Sequence, residues 1–199
     1  MPSLEFWFDF GSNYSYLSVM RIEAAAAQRG VAVQWRPFLL GPVFQSLGWR
    51  TAPFLQQELK LAYVWQDMVR ECRKYGLPWQ QPSVFPRKAV LALRVALWAD
   101  EQPWVGEFCR RTMALNFGQD RDVESEASVR ATLQAMGLDA DSVIAHALSE
   151  PNKLRLRTQT ETAMAKGIFG APTFFAGQDM FWGNDRLDDA LAHCQALEH

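Results

Sequence analysis

Leu4, Phe6, Phe8 and Phe10 alternate with Glu5, Trp7 and Asp9, and the alternation stops at Gly11-Ser12. A period of two predicts a strand. With so few polar residues in the run, that strand needs cover on both faces, as in an α/β sheet. Gly11 breaks the pattern, and the Ser12 side-chain oxygen is placed to cap the helix that follows. The stretch therefore delivers a hydroxyl to a helix N-terminus, where backbone N–H groups and the macrodipole favour an anion.

The chain is long enough, at 199 residues, for one substantial core or one core with an inserted lobe. A formal charge of −2 gives no bulk reason to expect nucleic acid or an anionic membrane as partner. No charged-then-apolar leader opens the sequence and no apolar run approaches ~18 residues, so the expected location is cytoplasmic. Cys72, Cys109 and Cys194 are scattered and never in Cys-x-x-Cys spacing, which predicts free thiols. His146, His193 and His199 show no ligand spacing with them, so no metal site is expected.

Tyr16, Met20, Ala24 and Ala27 recur at helical spacing, predicting one helix over residues 13–29 with Gly30 as its stop. Val31, Val33 and Trp35 then alternate as a second strand, completing a βαβ unit with a parallel pair. Helical patterns fill residues 43–135. Leu55, Leu59 and Ala62, with Trp65, Met68, Val69 and Cys72, form an amphipathic helix ending near Gly76. Further helices are expected over 87–100, from Pro103, over 126–136, over 140–148 and over 153–166. Thr173-Phe174-Phe175 and Met180-Phe181-Trp182, around Gly177-Gln178, read as a hairpin, followed by a helix over 185–197. The order is β-α-β, a helical insertion, then α-β-β-α. It predicts residues 1–42 and 151–199 as one α/β domain and 43–150 as an inserted helical domain.

That order, with Gly-Ala-Pro-Thr-Phe-Phe before the terminal hairpin, resembles a thioredoxin-like fold with the all-helical lobe of its DsbA-like branch. In thioredoxin folds the strand-to-helix corner carries Cys-x-x-Cys, with a thiolate as the anion. Here it reads Ser12-Asn13-Tyr14-Ser15 and holds no sulfur, a shape suited to another molecule's thiol. Three collinear runs, over residues 8–16, 167–174 and 180–187, are similar to signatures of the 2-hydroxychromene-2-carboxylate isomerase and kappa-class glutathione transferase family. Leu40-Gly41-Pro42-Val43-Phe44, Gly48-Trp49 and Lys74-Tyr75-Gly76-Leu77-Pro78 also match its bacterial isomerase-like members.

The resemblance implies glutathione as cofactor, with Ser12 as the catalytic residue that hydrogen-bonds its sulfur. A free thiol has a pKa of about 8.5, and a helix N-terminus lowers it. Ser12 as a nucleophile would need a base, and the histidines lie far along the chain in no recognisable motif. Pro172 resembles the cis-proline facing the active-site helix, leaving Ala171 to pair strand-like with the cysteinyl unit. Asn184 and Asp185 match the pair that holds the γ-glutamyl end, and Lys60 aligns with a lysine at the glycyl carboxylate. Around Lys60 the pattern departs: related sequences carry an asparagine roughly where Leu55 stands, and another where Lys88 stands. Tyr14 and Arg87 are the candidates for contact with the second substrate, Arg87 as a cation for an acidic group, although a loop arginine more often pairs locally. Trp7, Phe38, Trp49 and Trp65 supply further aromatic surface, though eight tryptophans in a chain of this kind mostly build core.

The activity so implied is glutathione-dependent isomerisation of a small aromatic keto acid of the 2-hydroxychromene-2-carboxylate type, in a homodimer. Conjugating glutathione transfer would use the same activated sulfur. A non-catalytic glutathione- or peptide-binding module is the alternative of a different class, and thiol–disulfide exchange is disfavoured by the missing cysteine pair.

Overall fold

The computed structural model describes residues 1–49 and 56–197. The predicted alternation produces strand β1 (Ser3–Phe8), which pairs parallel with β2 (Ala32–Pro37) and antiparallel with β3 (Thr173–Ala176). Strand β4 (Asp179–Trp182) completes the hairpin, and the sheet order is β2-β1-β3-β4. β1 is covered on both faces, as its composition requires. Leu4, Phe6 and Phe8 enter the main core, while Trp7 points to a second cluster with Phe38, Val43, Ala163, Ile168 and Phe175. Phe6 stacks on Phe8 and Phe174 at centroid distances of 5.1 and 5.3 Å, tying β1 to β3 through aromatic surface.

The helix expected over residues 13–29 is divided into α1 (Asn13–Val19) and α2 (Ile22–Gln28). Arg21 accounts for the break. Its Nε donates to the Leu17 carbonyl, its Nη2 donates to Asn184 Oδ1 at 3.1 Å, and its guanidinium lies 3.7 Å from the Tyr75 ring centroid. Those distant partners draw it from helical geometry. Between β2 and β3 come α3 (Leu40–Ser46), α4 (Glu58–Tyr75), α5 (Val90–Trp98), α6 (Val105–Met113), α7 (Glu126–Ala135), α8 (Ala140–Leu148) and α9 (Glu150–Ala165). α10 (Leu187–Ala196) follows β4.

The helical patterns hold with three corrections. The helical stretch expected from residue 43 begins three residues earlier, because Leu40-Gly41-Pro42 already forms the first turn of α3. On α4 the buried stripe is Val64, Met68 and Cys72, whereas Leu59 is 90% exposed and Val69 43% exposed; Leu55 lies outside the described residues. α5 begins three residues later than expected because Arg87 and the Lys88 N–H are held by side chains of the 116–124 segment. α5 itself buries Ala92, Leu93, Val95, Ala96 and Leu97, and it packs on β2, α8 and α9. The three cysteines are free and buried, as their spacing predicts.

Candidate active site

A cleft of about 1220 Å³ opens where the β1–α1 turn meets α3, α4, the segment before α5, the 169–172 loop and the turn after β4. Its volume exceeds the ~300–1,000 Å³ common for small-molecule sites.

Ser12 sits at the base of α1 and is 7% exposed. As expected of an N-cap, its Oγ accepts from the Ser15 N–H at 3.2 Å, and it also donates to the Ala171 carbonyl at 3.0 Å. The first backbone N–H groups of a helix have no partner within it. Those of Asn13 and Tyr14 find no acceptor among the described residues, and the buried Asn13 Nδ2 finds none either. The corner therefore combines one hydroxyl with unpaired N–H groups, a donor set suited to a single monoanion. Because α1 spans seven residues, this rests on local donors more than on the macrodipole of a long helix.

Asp9 staples the turn from below: Oδ1 accepts from the Gly11 N–H and Oδ2 from the Leu40 N–H, each at 2.8 Å. Removal from water pushes its carboxyl above the usual range, and the two N–H bonds pull in the other direction. Gly11 is required sterically, because a Cβ there would lie 2.8 Å from the Arg87 carbonyl oxygen.

The Ala171–Pro172 bond is cis, as is Phe85–Pro86. Ala171 lies against Ser12, and the Pro172 carbonyl accepts from the Gly183 N–H at 3.0 Å. Gly183 has φ +110°, and the Asp185 carboxylate curls back to within 2.6 Å of where a Cβ would stand. Asn184 is buried; its Oδ1 accepts from Ser18 Oγ and Arg21 Nη2, each at 3.1 Å, while its amide nitrogen has no partner among the described residues. Asp185 belongs to a short 3₁₀ turn (Asn184–Arg186) rather than to the final helix, and its exposed carboxylate pairs with Arg186 at 3.3 Å.

Tyr14 donates its hydroxyl to Asp67 Oδ2 at 2.8 Å, fastening α1 to α4. Burial first, and the adjoining Asp67 second, push its phenol well above the ordinary value. Lys60, in the first turn of α4, lines the cleft.

Arg87 takes the local pairing role common for a loop arginine rather than standing open as a cation. It is 7% exposed, its Nη1 donates to Asn116 Oδ1 at 2.8 Å, and its Nη2 donates to Asp120 at 2.6 Å. Its charge is met inside the protein, so it offers no open cation to an acidic substrate. Arg87 in turn holds the Asp120 carboxyl below the usual range, with Ser83 assisting. Asn116 closes the network by donating from Nδ2 to the Phe10 carbonyl at 2.9 Å.

Sequence reasoning missed Asn116, Asp67 and Asp9 as organisers of the site. Asn116 lies in a π turn (Ala114–Gly118) that carries no marker in the sequence. Asp9 had a visible signal, a lone acid ending an otherwise apolar strand. Among the aromatics, Trp7 and Phe38 are core, Trp65 packs edge-on against Phe85, and Trp49 reaches the cleft. Phe169 and Trp182, unassigned from sequence, form an exposed edge-to-face pair at 4.8 Å on its rim.

The DSBA-like thioredoxin domain family matches residues 3–195, nearly the whole chain. The chain belongs to this DsbA-like family. Among curated relatives, the 2-hydroxychromene-2-carboxylate isomerase of Sphingobium xenophagum is 28% identical over 187 residues, 94% of each chain. Glutathione S-transferase kappa 1 of Caenorhabditis elegans is 22% identical over 214 residues, 99% of this chain and 94% of that one. A solved 2-hydroxychromene-2-carboxylate isomerase superposes with a TM-score of 0.86 at 24% identity, covering 98% of this chain and 95% of that one. The expected fold and kinship are thus borne out: a DsbA-like thioredoxin fold, related in sequence to isomerases and to a kappa-class transferase. Among the described residues no helix is long and apolar enough to cross a membrane.

Proposed function

We propose that this protein is a glutathione-dependent isomerase of a small aromatic keto acid of the 2-hydroxychromene-2-carboxylate type. The observation that carries the reading is the Ser12–Ala171 hydrogen bond at a corner with no cysteine of its own. Both partners are groups that a cysteinyl unit takes up: the hydroxyl is a donor for sulfur, and the Ala171 carbonyl is an acceptor for an N–H. The unpaired amides of Asn13 and Tyr14 add donors beside the same hydroxyl. The isomerase and kappa-class relatives support the reading from the side of sequence.

Glutathione, when bound, supplies a sulfur nucleophile that adds reversibly to a conjugated carbon and is regenerated. The chain's own contribution is to hold that sulfur as the anion. Ser12 turns its hydroxyl away from Ala171 toward it, and the helix-start N–H groups stabilise the negative charge. At the γ-glutamyl end, the Asp185 carboxylate is the acceptor for the ammonium and the Asn184 amide nitrogen is a donor for the carboxylate. Lys60 is the group for the glycyl carboxylate. The remaining volume, bounded by Tyr14, Phe85 and Leu93, receives the aromatic ring.

Calorimetric titration with glutathione, with thiolate absorbance near 240 nm followed against pH, tests the reading. The wild type should bind and lower the thiol pKa, and Ser12→Ala should raise it by at least one unit, ~1.4 kcal/mol. No binding by the wild type at millimolar glutathione would refute the assignment and leave Ser12 as a helix cap.

A further inference from the structure

The charged groups that line the cleft are mostly satisfied by one another. Glu71 pairs with Lys74 at 3.4 Å, Asp185 with Arg186, and Arg87 with Asp120 outside the lining. Asp67 accepts from Tyr14, Asp9 accepts from two backbone N–H groups, and Lys60 makes interactions of its own. Lys88 differs. Its side chain is exposed and lines the cleft, yet among the described residues its ammonium makes neither an ion pair nor a hydrogen bond. The carboxylate beside it, Glu124, accepts from its backbone N–H instead.

The backbone at Lys88 is firmly placed next to the reactive corner. The preceding Arg87 carbonyl abuts Gly11, the residue before Ser12, and the Arg87 side chain is locked to Asn116 and Asp120. Phe85, Val90 and Leu93, on either side of Lys88 in the chain, give the same cleft an apolar wall. The acids Asp67 and Glu71 both stand on α4. Lys74 on the same helix is paired with Glu71, whereas the segment before α5 offers an anionic ligand the Lys88 ammonium, which has no such partner among the described residues.

We propose that Lys88 determines specificity for the second substrate, pairing with the carboxylate of an aromatic acid while the ring rests on the Phe85–Val90–Leu93 wall. The position of the reacting carbon toward Ser12 rests on the function proposed above; the preference for an anion does not. Among the described residues the Lys88 side chain makes no hydrogen bond or ion pair, so its substitution removes none from the fold.

The test uses two probes, 2-hydroxycinnamate and its methyl ester, titrated calorimetrically into wild type, Lys88→Gln and Lys88→Arg. The wild type should bind the acid at least ten-fold tighter than the ester, about 1.4 kcal/mol. Lys88→Gln should abolish that preference, and Lys88→Arg should keep most of it. Equal binding of acid and ester by the wild type, an undiminished preference in Lys88→Gln, or no binding of either probe at millimolar concentration each overturns the proposal. A Lys88-dependent preference in a protein that does not bind glutathione would uphold it and refute the glutathione reading. Glutathione binding without such a preference would do the reverse.

Discussion

Alanine at position 11 should cost stability, and alanine at position 41 should change it far less. The Gly11 Cβ would come 2.8 Å from the Arg87 carbonyl oxygen and 3.3 Å from Pro86 Cβ. The first contact is shorter than any real Cβ tolerates, and the opposing atom is backbone. That backbone cannot step aside cheaply, because Arg87 is anchored at 2.8 Å to Asn116 and at 2.6 Å to Asp120. Overpacking of this kind costs ~1–3 kcal/mol, against which reduced freedom of the unfolded chain returns ~0.4–1 kcal/mol. The net expectation for Gly11→Ala is a loss of about 0.5–2 kcal/mol, and each kcal/mol lowers Tm by about 2–4 °C in a chain of this size. Gly41 lies within α3 without a positive φ, and beyond its chain neighbours and the helix's own backbone nothing stands within 4 Å of its would-be Cβ. There the helix-propensity gain of about 0.5–1 kcal/mol is opposed by Pro42, which disfavours a Cβ on the helical residue before it, so the same substitution should change stability far less. Urea unfolding monitored by tryptophan fluorescence measures both, with unchanged m-values as the condition for comparing midpoints. A Gly11→Ala midpoint equal to or above that of the wild type would refute the close approach of the Arg87 backbone to the Ser12 turn.

Asn116→Leu should destabilise by about 2–4 kcal/mol in the same assay, since it strands the buried Phe10 carbonyl and one arm of Arg87; a loss below ~1 kcal/mol would mean the network is dispensable. Acid should weaken the same region. The Asp120 and Asp122 carboxyls are both held below the usual range, Asp120 chiefly by Arg87 and Asp122 chiefly by Ser125. Groups depressed in the native state stabilise above their unfolded value of ~3.9, and that contribution is lost as pH falls through the native values. Asp9, pushed the other way, opposes the slope. Asp120→Asn should therefore flatten the decline in Tm between pH 5 and pH 3; an unchanged slope would count against the Arg87–Asp120 pair.

Local pattern determined a good deal of this protein. The alternation from Leu4 to Phe10 made a central strand covered on both faces, and the Val31–Trp35 and Thr173–Trp182 segments became its neighbours. Ser12 was legible as a cap because capping depends only on a side chain and the N–H three residues on. Periodicity likewise located the helices, since the face a helix buries repeats along its own residues. Tertiary contacts decided where the patterns failed. Arg21 divided α1 from α2 to reach Asn184 and Tyr75, and Arg87 left the start of α5 to reach Asn116 and Asp120. Leu59 is apolar at a helical spacing yet faces outward. The same holds for the reactive corner: that Ser12 bonds Ala171, 159 residues away, and that Asp9 bonds Leu40 is invisible to any window of sequence. A sequence states which groups must be buried or bonded; which partner meets each is a choice among residues distant in the chain, and only the folded geometry makes it.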